Sequence, residues 1–330
     1  MKKIKLLVLT DHLGHSKENS LYELLQEMQQ HPNCEYIDIA SRGTQKNKDF
    51  FHGSEKASLY VNRVKADFAF STNGEAFQNL STTGINHYDA ILLRLPPLKV
   101  DNFFRFLEET YPNKLIINKP SGILTTGSKE FLVNFPSVTP PLKVCRSFQE
   151  IENFKENFSI VLKPFRNYGG HGIVRIDDNE VYLSNKIISY DQWKKSLKEQ
   201  EIAYLGVQFL KNVSQGDKRI VMVDGQIMGA SLRLPSKGSW LCNAAQGGSS
   251  YATIITEEEK QIVKIIDPML SKLGIVMYGV DTLTDDNGKR VLSEINTTSI
   301  GGLRQIQELY NQPILKRISD RLWNYLIKKL

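Results

Sequence analysis

The run Asn167-Tyr168-Gly169-Gly170-His171-Gly172 constrains this chain more than any other feature. It joins two short apolar segments, Ile160-Val161-Leu162-Lys163-Pro164 and Ile173-Val174-Arg175-Ile176, whose length and β-branched content predict strands. A glycine loop between two strands is the tip of a hairpin. Dinucleotide-binding and Walker loops both require a helix directly after the glycines, so neither fits. Such a tip can instead wrap an anion with its backbone N–H groups. Lys163 ends the first strand beside the loop, where an ammonium can neutralise a phosphate.

Before residue 120 the pattern is different. Apolar strands at residues 4–9, 35–39, 88–95 and 115–118 alternate with helical patterns at 21–28 and 101–109. Pro96-Pro97 and Lys119-Pro120 stop the last two strands. This alternation predicts a parallel α/β layer, which places ligands at the carboxyl ends of its strands, where Arg94 and Asn118 stand. Ser128 can cap a helix over 129–135, putting Lys129 among free N–H groups suited to an anion. A further helix is expected near 147–157. From about residue 200 the order is strand, hairpin, long loop, helix 257–273, hairpin, helix, with turns at Asp224-Gly225 and Asp285-Asp286-Asn287-Gly288.

The last hairpin carries metal chemistry. A four-residue turn at 285–288 puts Asp281 on one face with Leu292, Glu294 and Asn296. Three side-chain oxygens together suit a hard cation such as Mg²⁺ that shares its ligands with phosphates. Arg219 and Arg233 flank the preceding hairpin. A two-residue turn alone sends them to opposite faces, and a bulge at Gly229 brings them to one.

Composition excludes several classes. The 330 residues are 41% hydrophobic and 24% charged, the balance of an ordinary globular chain. The net charge of +6 is scattered without a dense basic run, which disfavours nucleic acid. The basic C-terminal end, around Lys316, Arg317, Arg321 and Lys328-Lys329, has apolar residues interleaved at helical spacing and is read as the solvated face of a final helix. No apolar run is long enough for a bilayer, and the first residues lack the features of a secretory signal. Cys34, Cys145 and Cys242 are far apart, which argues against a zinc site or disulfide framework and for a reducing cytoplasmic home.

Taken together, Asn118-Lys119-Pro120, Lys129, Leu162-Lys163-Pro164 with Gly169-Gly170, Gln208-Phe209-Leu210, Asp217 to Gly225, Asn243 with Gly247-Gly248, Gly279-Val280-Asp281 and Glu294-Ile295-Asn296 resemble the prokaryotic glutathione synthetases of the ATP-grasp superfamily. The resemblance implies an N-terminal α/β substrate domain (1–120), a central lid (121–200) and a C-terminal ATP-grasp domain with the metal site (201–330). It implies ATP at Lys129, Lys163, Gly169, Gly170, Gln208, Phe209, Leu210 and Asp217, with the adenine and ribose against residues 208–210. Mg²⁺, or Mn²⁺, falls to Asp281, Glu294 and Asn296. Arg219 and Lys163 take catalytic roles, and Arg94, Arg233, Asn243, Ser299 and Arg304 face the substrates. The implied reaction joins γ-glutamylcysteine to glycine through an acyl phosphate, with small molecules as partners, no nucleic acid or membrane, and a homo-oligomer left open. Three places depart from the family pattern. They are Arg94-Leu95-Pro96-Pro97, which lacks a charged pair, Leu241 near an expected arginine, and Ser299-Ile300-Gly301-Gly302 after the metal residues. All three lie in substrate regions, so another ATP-grasp peptide or amino-acid ligase stays open. A non-catalytic nucleotide binder fits poorly, because it has no need of metal residues and an arginine together.

Overall fold

The computed structural model describes residues 2–96, 102–167, 170–184, 186–197, 201–235 and 249–330. Gly169, Leu241, Asn243, Gly247 and Gly248 lie outside these residues. Among the described residues the strands form three sheets.

The first sheet contains β1 (Ile4–Thr10), β2 (Cys34–Ser41), β3 (Leu59–Arg63), β4 (Ser81–Thr83), β5 (Ala90–Arg94) and β6 (Leu115–Ile117), in the order β4-β3-β2-β1-β5-β6. Strands β2, β1, β5 and β6 run parallel, as their continuous apolar runs require for burial on both faces. Strands β3 and β4 add an antiparallel edge. Thr10 pairs in register with both Ser41 and Arg94, so the carboxyl ends of three strands meet at one rim.

The second sheet holds β7 (Leu142–Cys145), β8 (Ile160–Pro164), β9 (Val174–Asp177), β10 (Glu180–Tyr182), β11 (Ile187–Ser189) and β12 (Tyr204–Gln208), ordered β11-β10-β9-β8-β12-β7. Strands β8 and β9 are antiparallel, so the glycine loop does join a hairpin rather than leading to a helix. Strand β12 lies between β8 and β7, which carries this sheet to Gln208, past the boundary expected at residue 200. The segment capped by Ser128 is a 3-10 helix, Lys129–Asn134. At 6 residues it is long for this tight winding, which usually runs for about three or four.

The third sheet is antiparallel, β15-β14-β13-β16-β17, from β13 (Asp217–Val223), β14 (Gln226–Leu234), β15 (Ser249–Tyr251), β16 (Met277–Thr284) and β17 (Arg290–Asn296). Helix Glu257–Lys272 covers one face, opened by a Thr256/Glu259 capping box. The C-terminal helix Ile314–Lys329 buries Ile318, Leu322, Trp323 and Leu326 and leaves Lys316, Lys328 and Lys329 exposed. Trp323 Nε1 donates to Met28 O at 3.0 Å, tying the two ends of the chain together. Asn118, at the end of β6, donates to Met277 O and Thr297 O and accepts from Val276 N and Met277 N. It latches the first sheet to the third, and all its hydrogen-bonding capacity goes to that role.

Candidate active site

The site is built on the face of the third sheet away from helix Glu257–Lys272. Arg219 on β13 pairs with Ser231 on β14 and Asp281 on β16, and Asp281 pairs with Glu294 on β17. The neighbouring row brings Gly279 opposite Asn296. Asp281, Glu294 and Asn296 therefore share a face, by a different route from the one expected. Thr284 pairs with Arg290, so the turn spans 285–289 and not 285–288. A bulge at Ser293, between the Thr282–Leu292 and Asp281–Glu294 pairs, then shifts the register by one more residue, which restores the shared face. The same bulge moves Leu292 to the opposite face, where it is fully buried, so its expected place beside Asp281 is corrected.

The arginines follow the same logic. Strand β14 bulges at Met228, next to Gly229, so Arg233 pairs with Asp217 and lies on the face of Arg219. Arg219 holds Asp281 in a two-pronged ion pair through Nε and Nη2, the latter at 2.7 Å. Arg233 Nη2 reaches the same carboxylate at 3.0 Å, and its Nε donates to Asp217 Oδ1 at 2.7 Å. Asn296 Nδ2 adds a donor to Asp281 Oδ2 at 3.1 Å. Burial pushes the Asp281 carboxyl up, but the two guanidiniums outweigh it and hold it below its ordinary value. Burial and the adjacent Asp281 charge push Asp217 up against the pull of Arg233.

Two lysines approach from the second sheet and the 3-10 helix. Lys129, buried, pairs with Glu294 at 3.4 Å and donates to Asn167 O in the glycine loop. Lys163, half-buried, donates to Ser293 O at 3.3 Å and to Ser293 Oγ at 3.2 Å. Burial lowers its pKa, opposed by Glu294. The bulge residue Ser293 was not legible from the sequence, because only the register slip turns it toward Lys163. Gly170 and Gly172 adopt φ of +80° and +71°, as an anion-wrapping tip requires. Gln208 ends β12 opposite Ile160, at the end of β8 away from the glycine tip, and Phe209 and Leu210 follow it. Phe209 N donates to Ser159 O at 2.7 Å, and Arg175 stacks on the Phe209 ring at 3.8 Å.

Asp281, Glu294 and Asn296 fit a divalent cation by the hardness of their oxygens. Among the described residues, no group of three or more His, Cys, Asp or Glu could hold a metal by itself. Two carboxylates and an amide suit a cation whose remaining ligands come from phosphates and water.

The substrate-side arginines are placed differently from expectation. Arg94 is 3% exposed, with Nη2 donating to Ile300 O at 2.8 Å and Nη1 against Met277 Sδ at 3.8 Å. Burial lowers its pKa to about 10. It shares with Ser299, Asn118 and Thr297 a cavity scarcely larger than one water. A substrate carboxylate has no room there, and Arg94 is corrected to a clamp on the Ser299–Ile300 turn, where Ser299 adopts φ +38°. Arg304 faces outward. It pairs with Glu308 at 2.7 Å and Glu23 at 3.3 Å and donates to Lys17 O. With two carboxylates already on its guanidinium, it is corrected to a surface ion pair. Arg304→Ala should cost no more than about 1 kcal/mol of stability. It should leave substrate KM values unchanged, and a rise of about tenfold in steady-state assays would restore the substrate role.

A further polar cluster lies at the carboxyl rim of the first sheet. His15 Nε2 meets Thr10 Oγ1 at 3.2 Å and its Nδ1 meets Tyr22 Oη at 2.9 Å. Burial, then the charges of His12 and Arg94, lower its pKa to about 4 against the pull of Asp11. The unfolded chain takes up this proton near 6.5 and the folded one does not, so stability is lost as pH falls from 6.5 toward 4. His15→Gln removes the titration. Thermal melts across that range should show a smaller drop in Tm for the variant than for the parent.

With this geometry in place, comparison with known proteins identifies the family. The model of the "Prokaryotic glutathione synthetase, ATP-grasp domain" matches residues 128–311. The chain belongs to that family. It is 30% identical to the glutathione synthetase of Bradyrhizobium diazoefficiens over 242 residues, covering 72% of this chain and 74% of the relative. It is 31% identical to that of Vibrio cholerae serotype O1 over 253 residues, covering 74% and 76%. The fold is also similar to a D-cycloserine synthetase, with TM-score 0.67 and 11% identity over 98% of this chain and 99% of that one. The D-alanine-D-alanine ligase of Coxiella burnetii gives TM-score 0.60 and 11% identity over 100% and 96%. These likenesses show the ATP-grasp fold, and family membership makes the chain an ATP-dependent C–N ligase that works with a divalent metal.

Proposed function

We propose that this ATP-grasp enzyme joins γ-glutamylcysteine to glycine, with ATP as the phosphoryl donor and Mg²⁺ as the cation. The observation that supports it best is the row Arg219–Asp281–Glu294, flanked by Lys129 and Lys163, within a glutathione synthetase domain. A carboxylate oxygen of the dipeptide attacks the γ-phosphorus, and the bond to the β-phosphate oxygen breaks to release ADP. The neutral amine of glycine then attacks the acyl carbon. The C–O bond to phosphate breaks, phosphate departs with the electron pair, and the nitrogen loses a proton.

In this reading Lys129 and Lys163 neutralise the phosphates, a task of positioning and electrostatics more than of covalent help. Arg219 and Arg233 keep Nε and Nη2 on Asp281 and Asp217, and each offers the reacting carboxylate its remaining Nη1 and its charge. Asp281, Glu294 and Asn296 would hold the divalent cation, which supplies further charge neutralisation when bound. The tip around Gly170 covers the phosphates and keeps water from the acyl phosphate. The substrates are small molecules, with no nucleic acid. No helix among the described residues is long and apolar enough to cross a membrane.

The test incubates purified protein with ATP, Mg²⁺ and γ-glutamylcysteine, with and without glycine, and reads ADP release and product mass. Glycine-dependent ADP release with a product of the mass of glutathione is expected. Turnover without glycine, or brisk ligation of another pair with no glutathione, would sink this reading and leave the ligase class intact.

A further inference from the structure

Arg42 stands just past the carboxyl end of β2, and Asp11 just past that of β1. Arg42 Nε donates to Asp11 Oδ2 at 2.8 Å, and Nη2 lies 2.8 Å from the same oxygen in an ion pair. Its Nη1 is buried and has no hydrogen-bond partner among the described residues. Among the described residues Asp11 Oδ1 accepts only a long bond, 3.3 Å from Leu13 N, and the side chain is 17% exposed. The pair therefore presents an orphan cationic donor beside a spare anionic acceptor. A buried orphan donor of this kind calls for a ligand or a water.

The surroundings hold this arrangement still. His12 is fixed by Ser41 Oγ, at 2.6 Å from Nδ1 and 3.0 Å from the backbone N, and stacks on Phe77 at 4.3 Å. An added Cβ at Gly43 would come within 2.6 Å of Leu13 and 3.0 Å of the His12 ring, so the turn admits no larger residue without a shift. Nearby Arg94 is buried with no carboxylate partner among the described residues, which leaves this rim electropositive. The rim is also joined to the reacting face. Thr10 Oγ1 donates to Arg94 O at 3.0 Å, and Arg94 donates to Ile300 O. Ile300 and Arg219 both press on Gly279, each within 3.2 Å of where its Cβ would lie.

We propose that Asp11 and Arg42, steadied by His12, form the subsite for the α-ammonium and α-carboxylate of the donor's first amino acid. An amino-acid zwitterion carries adjacent opposite charges, and a carboxylate–guanidinium pair with one spare acceptor and one spare donor is its complement. Of the other strand ends of the sheet, Asn118 is spent on the third sheet, and Arg94, although its Nε also lacks a partner among the described residues, is only 3% exposed, so recognition falls to β1 and β2. This inference rests on the glutathione synthetase reading, because it takes a γ-glutamyl group as the donor's head.

The experiment compares three donors: γ-glutamylcysteine, glutarylcysteine, which lacks the α-ammonium, and 4-aminobutanoylcysteine, which lacks the α-carboxylate. Each is assayed with the parent enzyme, Asp11→Asn and Arg42→Gln. The parent should lose about tenfold or more in kcat/KM with either truncated donor, the scale of a charged hydrogen bond. In Asp11→Asn the preference for γ-glutamyl over glutaryl should collapse, and in Arg42→Gln the preference over 4-aminobutanoyl should collapse. Because each ratio is taken within one protein, partial loss of folded enzyme does not alter it. Ratios that persist in both variants, or a KM change confined to glycine, overturn the subsite. A parent enzyme that ligates no γ-glutamyl donor overturns the function itself and the subsite with it.

Discussion

Glu294→Gln should lower kcat by roughly 10²-fold or more while changing ATP affinity far less. Glu294 lies opposite Asp281 in the sheet, and its only ion pair among the described residues is with Lys129 at 3.4 Å. The amide keeps the shape and one acceptor oxygen but removes the charge, which matters most when the phosphoryl group is in flight. Stability should hardly change, since the side chain is a quarter exposed and Lys129 retains its bond to Asn167 O. Steady-state kinetics with an independent nucleotide-binding measurement separates the two effects. Near-parental turnover would remove Glu294 from the metal set.

The largest stability loss is expected from Glu259→Ala, on the other side of the same sheet. Glu259 is fully buried at the start of helix Glu257–Lys272. Its carboxylate takes Lys218 Nζ at 2.7 Å, Thr282 Oγ1 at 2.8 Å, Thr256 N at 2.9 Å and Arg290 Nε at 3.2 Å. Removing it leaves buried Lys218 and part-buried Arg290 without this carboxylate and opens the capping box. Breaking a buried pair from one side costs about 3–5 kcal/mol. Chemical denaturation should show that loss as a lower midpoint. Lys218 precedes Arg219 and Thr282 follows Asp281, so surviving protein should also turn over more slowly. A loss below about 1 kcal/mol would mean that water replaces the carboxylate, and the network would then not anchor the sheet.

Local pattern carried much of this reading. Apolar runs ended by prolines located β5 and β6, and the glycine tip between two β-branched runs located the β8–β9 hairpin. The grouping of Asp281, Glu294 and Asn296 was also legible, although two register effects cancel beneath it: a longer turn and a bulge at Ser293. Leu292 shows what happens where they do not cancel. The roles of Arg94 and Arg304 were not legible, because each is decided by a partner far away in the chain. Ile300 lies 206 positions from Arg94, and Lys17 lies 287 from Arg304. No periodicity reaches that far. Asp11 and Arg42 went unread for the same reason, since neither belongs to a pattern until β1 and β2 lie side by side.

The sequence alone determined the four parallel strands of the first sheet, the hairpin nature of the glycine loop and the residue types able to hold phosphate and metal, because side-chain alternation and backbone permissiveness act over a few residues. Only the tertiary structure decided which cation meets which carboxylate and which arginine stays open to a ligand. Burial and hydrogen-bond satisfaction are set by neighbours in space, and a buried guanidinium is used up by whichever oxygen the fold brings to it.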